Sequence, residues 1–235
     1  MLTNKKILIT GANGGLGMSI IQEALLRNVE KIYACVRNVH KAEALIALDP
    51  RIELHTLDTT NSQNVEALAS KIETIDIVIN NAGVNSEKRV LEACRSDFDV
   101  NVFGTLNVCR AFENKLAPNG AIINISSVVA LVNLPIMGLY SASKSALHSI
   151  TQALRAEFAC KNIEVYEVLP GAMDTKMSQN QQLDKADTRS IAREIWAGLE
   201  TKTFEIFPDA MSQGIKEGLL HAPENVIAEC AKSIL

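Results

Sequence analysis

The stretch that most constrains this chain lies near its start. Lys5 to Thr10 reads as a short buried strand, breaks at Gly11-Ala-Asn-Gly-Gly-Leu-Gly17, and gives way to a helical run from Met18 to Arg27. Strand, glycine turn and helix in that order make a cradle for phosphate. Glycines let the backbone approach a diphosphate with no Cβ in the way, and the free N–H groups of the first helical turn attract its charge. The spacing is T-G-x-x-x-G-x-G, with Thr10, Gly11, Gly15 and Gly17 in the fixed places, rather than the G-x-G-x-x-G of the dinucleotide fingerprint. A glycine turn also serves a strand and helix that merely pack closely, so the rest of the chain must say what this one holds.

Downstream, strand-like runs at Lys31 to Val36, Arg51 to Leu57, Ile75 to Ile79, Ala121 to Ile125, Glu164 to Leu169 and Thr203 to Phe207 alternate with helical patterns. The helical patterns cover Val39 to Leu48, Asn61 to Thr74, Ser96 to Leu116, Ser141 to Cys160, Thr188 to Leu199 and a terminal stretch after Pro223. This alternation predicts an α/β fold: a single-domain, Rossmann-like, doubly wound parallel sheet with helices on both faces. With 235 residues, 47% of them hydrophobic and 21% charged, the chain suits one such domain over 1–235. No internal repeat or linker divides it.

A net charge of -4 and the absence of a dense Lys/Arg run leave no footprint for nucleic acid or an anionic membrane, so the expected partner is a small molecule. The most apolar long stretch, Ala121 to Tyr140, carries Asn124, Ser126, Ser127, Asn133 and Pro135 and is too polar for a bilayer span. Five scattered cysteines with no C-x-x-C pair read as reduced thiols of a cytoplasmic protein, and no metal ligand set is expected. Met1 to Lys6 runs into the first strand without an apolar signal segment, which predicts no export.

Several residues fall where strands end. Arg37 follows the second strand, where an acid would accept from a ribose 2′-hydroxyl and a guanidinium suits a 2′-phosphate; a solvated loop arginine is the other reading. Asp58 either accepts from an adenine amino group or caps a turn. Asn80-Asn81-Ala82-Gly83 closes a central strand, where the amides tie neighbouring strands together and the backbone near Gly83 touches a cofactor. Asn101 is unfavourable within a helix by propensity: it marks an exposed face or a kink, or it frees a backbone carbonyl to hold a water. Ser126-Ser127 end the next strand, and Tyr140 and Lys144 share one helical face shortly after. A cation that close favours tyrosinate and is expected to lower the tyrosine pKa toward that of a working proton donor. Pro170-Gly171 stops the following strand sharply, and the polar segment 176–187 is either a lid or an ordinary loop.

With these residues in place, the sequence resembles the short-chain dehydrogenase/reductase family over nearly its whole length. Thr10-Gly11-Ala-Asn-Gly-Gly15-Leu-Gly17 looks like the family's cofactor turn, Asn80-Asn-Ala-Gly83 like its central-strand motif, and Tyr140-x-x-x-Lys144 like its catalytic pair. Pro170-Gly171 with Thr175 is similar to the segment that contacts the nicotinamide side of the cofactor. The family's serine lies thirteen positions before the tyrosine, which selects Ser127, and its helix asparagine falls on Asn101. The resemblance thus implies a catalytic set of Asn101, Ser127, Tyr140 and Lys144. It implies cofactor contacts from Thr10, Gly11, Asn13, Gly15, Leu16, Gly17, Arg37, Asp58, Asn81, Ala82, Gly83, Tyr140, Lys144, Pro170, Gly171 and Thr175, with a short substrate loop around 172–190.

The stretch Ala34-Cys-Val-Arg-Asn38, with Lys41-Ala42 and Leu45, looks like the carbonyl-reductase-like branch that includes the sniffer and C-factor proteins. That implies a reductase of an aldehyde, ketone or quinone using NADP(H) in preference to NAD(H). Two departures stand out: Ala130 replaces a frequent glycine, and no basic residue directly precedes Gly15. The rival expectations are an NAD-dependent alcohol dehydrogenase working oxidatively and a non-catalytic dinucleotide-binding redox sensor. Members of the family commonly assemble through the two long helices, which predicts a homodimer or homotetramer.

Overall fold

Seven runs rich in branched residues form one parallel sheet: β1 (Lys6–Thr10), β2 (Lys31–Val36), β3 (Ile52–Thr56), β4 (Ile75–Asn80), β5 (Leu116–Ile125), β6 (Glu164–Val168) and β7 (Glu205–Ile206). The computed structural model describes residues 3–179 and 183–234. The strand order is β3-β2-β1-β4-β5-β6-β7, and every neighbouring pair is parallel. The chain winds outward from β1 to β3, crosses back to β4 and continues to β7. Its order therefore reverses between β1 and β4, which opens a crevice at the carboxyl ends of those strands.

The helices are α1 (Gly15–Leu25), α2 (Glu43–Ile46), α3 (Ser62–Ala69), α4 (Ser96–Phe98), α5 (Thr105–Phe112), α6 (Gly138–Ala159), α7 (Thr188–Glu200), α8 (Ala210–His221) and α9 (Pro223–Ala231). Alternation along each strand divides the core between the two faces of the sheet. Ile7, Ile9, Ile77, Ile79 and Ile123 pack with Leu16, Ile20 and Ile21 of α1 and with Ile195 and Trp196 of α7. Leu8 and Val78 pack on the other face with Val65 and Leu68 of α3 and with Val108 and Phe112 of α5. Beside them, Ile122 and Val165 meet Leu154 and Phe158 of α6.

Asn61 stops the chain before α3, and its side chain accepts from the Asn64 N–H at 3.0 Å. Asn61→Ala is expected to cost about 1 kcal/mol, read as a lower midpoint in urea with an unchanged slope.

Four expectations about elements need correction. The helix expected from Ser96 to Leu116 ends at Phe112 and is wound as a π-helix over Asp99–Gly104, while Leu116 already belongs to β5. Val39 to Leu48 breaks into a 3₁₀ turn, Val39–Lys41, and the one-turn α2. The strand expected over Thr203 to Phe207 shrinks to Glu205–Ile206, the two residues in register with Glu167 and Val168 of β6. Finally, α8 precedes the expected terminal helix. Ser212 is its only buried residue, so it carries no apolar stripe for periodicity to detect.

Candidate active site

The glycine turn is shaped by close backbone approach. Gly11 has φ +64°, and a Cβ there would stand 2.9 Å from the Ala82 Cα, so only glycine fits against the end of β4. No side chain caps α1, whose first turn Gly15, Leu16 and Gly17 form just after Asn13, so its first N–H groups have no side-chain partner at the cap. Asn13 and Gly15 are exposed, whereas Leu16 and Gly17 are buried. Thr10 is committed to architecture: its hydroxyl accepts from the N–H groups of Asn81 and Ala82 at 3.0 and 2.9 Å. Asn81 returns the contact, its amide donating to the carbonyls of Thr10 and Gly11, each at 3.0 Å. Asn80 ties β4 to β5 by donating to Asn124 Oδ1 at 2.9 Å.

Arg37 is exposed just past β2, at the same sheet edge as the turn. Asp58 is exposed past β3, where its carboxylate accepts from the N–H and hydroxyl of Thr60 at 3.0 and 2.7 Å. It caps that turn.

Asn101, with no solvent exposure, lies in the π-helical segment. Its Oδ1 accepts from the Val84 N–H at 2.9 Å, and its Nδ2 donates to Val84 O at 2.9 Å and to Ser143 Oγ at 3.0 Å. Ser143 in turn donates to Tyr140 O at 2.7 Å. Asn101 is therefore neither exposed nor idle: it joins the segment after β4 to the first turn of α6. Its own carbonyl accepts from the Thr105 hydroxyl at 2.9 Å. Gly83 faces the same spot, since a Cβ there would lie 3.2 Å from Asn101 Oδ1 and 3.8 Å from Lys144 Nζ.

Ser127 ends the run after β5, and its hydroxyl donates to Pro170 O at 3.3 Å. Tyr140 and Lys144 project from the first turns of α6, with Nζ 5.8 Å from the ring centroid. The expected fall in the tyrosine pKa is not what the structure shows. Burial pushes the phenol up to about 12, with the Ser127 hydroxyl opposing the rise and the Asp97 carboxylate adding to it. Lys144 cannot reverse this, because burial also depresses its own pKa, to about 8, against the Glu167 and Asp97 carboxylates that favour its charge. Its ammonium donates to Ile125 O at 2.8 Å rather than to the phenol.

Pro170-Gly171 closes the crevice from the β6 side. The Gly171 N–H donates to Asp209 Oδ2 at 2.9 Å, so the N-cap of α8 anchors the loop. Thr175 stands over the glycine turn, its Cγ2 3.0 Å from where a Gly15 Cβ would lie. The base of the 172–190 loop is tied by Ala186, which donates to Ala172 O at 2.8 Å and accepts from the Asp174 N–H at 3.0 Å. Part of the lid reading of 176–187 falls on 180–182, outside the described residues.

The short chain dehydrogenase family model matches residues 5–186. This chain belongs to the short-chain dehydrogenase/reductase family. Nodulation protein G of Rhizobium sp. (strain N33) is 33% identical over 192 residues, which cover 75% of this chain and 76% of that protein. Among solved structures, a short chain dehydrogenase from Burkholderia cenocepacia J2315 in complex with NADP is 38% identical, covers 98% of each chain and superposes with a TM-score of 0.91. A short chain dehydrogenase/reductase from Burkholderia phymatum in complex with NAD shares the fold at 20% identity, with a TM-score of 0.82 and 92% of each chain covered. As a member of the short-chain dehydrogenase/reductase family, the protein is an oxidoreductase. No helix among the described residues is long and apolar enough to cross a membrane.

Sequence reasoning missed four polar residues around this short-chain dehydrogenase site. Ser143 bridges Asn101 and Tyr140. Asp97, 1% exposed, accepts from the N–H and the hydroxyl of Ser86. Asp209 anchors Gly171. Glu167 lies fully buried in β6. Only Glu167 left a signal, an acid enclosed by Tyr166, Val168 and Leu169 in a buried strand.

Proposed function

We propose that this protein reduces a carbonyl compound, an aldehyde, ketone or quinone, to the alcohol at the expense of NADPH. The reading is carried by the convergence of Ser127, Tyr140, Lys144 and Asn101 beside Gly83, at the edge where the glycine turn and the Pro170-Gly171 loop also meet. Tyr140 enters as the donor because its phenol, with a pKa pushed up to about 12, is protonated throughout the neutral range, the form that can hand a proton to the substrate oxygen.

The residues present fit a dinucleotide. Gly11 and Gly17 let the turn fold tightly where a Cβ would strike its own backbone, α1 begins without a side-chain cap, and Arg37 offers a guanidinium at the end of β2. Thr10, Asn13, Gly15, Leu16, Asn81 and Ala82 would border the diphosphate and adenosine, with Asp58 at the adenine. Gly83, Pro170, Gly171 and Thr175 would border the nicotinamide. When bound, the cofactor supplies the hydride. Ser127 then hydrogen-bonds the substrate oxygen, Tyr140 hands its hydroxyl proton to that oxygen, and Lys144 holds positive charge where the tyrosinate develops. Asn101 keeps Val84 and the first turn of α6 in place and would hold a water in the proton path behind Lys144.

The NADP-bound relative at 38% identity supports the cofactor choice, as does Arg37. Arg37→Ala is expected to weaken NADPH binding by about 10- to 100-fold and to leave NADH binding nearly unchanged, as fluorescence titration with each dinucleotide will show. A pH profile gives a second check. Below about 8 Lys144 is an ammonium and above it a neutral amine. The kcat for reduction is therefore expected to fall as pH rises through that value, while the phenol is still protonated.

The same proposal places the protein in the carbonyl-reductase-like branch, in the cytoplasm, and in a homodimer or homotetramer packed through α5 and α6. Phe103 supports the assembly: it is 51% exposed in the π-helical stretch that leads into α5. Light scattering is expected to give a multiple of the 25.5 kDa chain mass.

A further inference from the structure

Glu167 of β6 lies in register with Asn124 of β5, which lies in register with Asn80 of β4. This polar row faces α6, where Asn124 donates to Thr151 Oγ1 at 2.9 Å and Glu167 Oε2 meets His148 Nδ1 at 2.6 Å. The Glu167 side chain is 0% exposed. A carboxylate so deeply buried costs several kcal/mol unless charge or hydrogen bonds compensate it. His148 satisfies only one oxygen. Beyond the nearby Ser126 hydroxyl, which favours the charge, Glu167 Oε1 has no partner among the described residues.

The missing compensation stands one helical turn away. Lys144 and His148 are four residues apart on the same face of α6. Lys144, 4% exposed, donates to Ile125 O, and the register partner of Ile125 is Val168, the residue after Glu167. That carbonyl is a neutral acceptor, so the ammonium has no anion in direct contact.

Burial raises the Glu167 pKa, and His148 opposes that rise. We propose that Glu167, bonded to His148, is the counter-charge that holds Lys144 as an ammonium. It is a positioning residue that acts on the site through Lys144 and touches neither substrate nor dinucleotide. Of the groups that favour the Lys144 charge against burial, Glu167 contributes more than Asp97. Both oxygens of Asp97 are moreover engaged by Ser86. Glu167 is faced by His148 from α6, by Asn124 of β5 and Ser126 just past it, and by Glu205 of β7, which opposes its ionisation and pairs at 3.8 Å with Arg155. His148 reaches solvent, with 20% of its side chain exposed and Nε2 3.0 Å from Gln152 Nε2. With that amide nitrogen donating, Nε2 accepts, Nδ1–H donates to Glu167, and the pair carries one negative charge.

The catalytic consequence rests on the role given to Lys144 above; the electrostatic claim does not, and it can be read without turnover. The full-length protein labelled with 13C at lysine Cε is titrated by NMR, with the Lys144 signal assigned by its loss in Lys144→Met. Glu167→Gln is expected to lower the Lys144 midpoint by about one pH unit, and His148→Leu to lower it in the same direction by less. The alkaline limb of kcat should move with it. An unchanged midpoint in Glu167→Gln overturns the proposal, whatever the loss of thermal stability. Should Glu167→Gln not fold, His148→Leu at its partly exposed position decides alone: a downward shift supports the proposal and no shift overturns it. A wild-type protein that reduces no carbonyl would sink the proposed function and leave this titration to be judged on its own result.

Discussion

Replacing Tyr140 by phenylalanine is expected to lower kcat by about 10²–10⁴-fold and to leave the dinucleotide Kd nearly unchanged. The substitution removes one hydroxyl and keeps the ring. The position of residue 140 does not depend on that hydroxyl, because its main-chain oxygen accepts from Ser143 and Ser143 is held by Asn101. What disappears is the proton source beside Ser127. Lys144 cannot take over, since its ammonium is directed at Ile125 O. Steady-state turnover with a confirmed substrate, alongside dinucleotide binding by fluorescence, separates the two effects. Turnover within a few-fold of wild type would remove Tyr140 from its assigned role.

The second large effect is expected at Asn101. In Asn101→Ala the Val84 N–H and C=O both lose their partner, and Ser143 loses a donor. Each backbone group left unsatisfied costs about 1–3 kcal/mol when buried. Val84 is only partly buried, so water relieves some of this. A total near 2 kcal/mol is expected, or a fall of about 4–8 °C in Tm for a chain of this length. kcat should fall by at least about tenfold, because Gly83 and the first turn of α6 are no longer held together. Asn101→Asp sharpens the test: it keeps an acceptor for the Val84 N–H but loses both donations and adds a buried charge. It should lose activity as severely as alanine does. Wild-type kcat in the alanine variant, with only Tm lowered, would confine Asn101 to a structural role.

Much of this architecture could be read from residues. Lys31 to Val36 and Ile75 to Ile79 were legible because strands buried largely on both faces are mostly apolar runs bounded by turns. Asn61 announced α3 because a short polar side chain before an apolar stripe satisfies free N–H groups. The clustering of Ser127, Tyr140 and Lys144 was legible because strand ends and helix starts of an open α/β sheet share one edge. The π-helical winding over Asp99–Gly104 was not, because an extra residue per turn leaves no mark in local propensity and is held by the distant contacts of Asn101. Nor was α8, which buries only Ser212 and is fixed by Asp209 at its cap. The tyrosine pKa was misjudged for a related reason. Spacing on a helix places an ammonium near a phenol, but the depth of both in the folded protein decides whether attraction or desolvation wins, and here desolvation wins.

The central claim is that this site reduces a carbonyl with a proton from Tyr140. The most direct test incubates the protein with NADPH deuterated at the transferable C4 position and a panel of aldehydes, ketones, quinones and pterins, with Tyr140→Phe in parallel, and examines products by mass spectrometry. The account predicts that at least one carbonyl compound is converted to the alcohol with deuterium on the reduced carbon and one NADPH oxidised per alcohol, and that the variant forms almost none. Tight NADPH binding with no member of the panel reduced, or equal product from Tyr140→Phe, would contradict it.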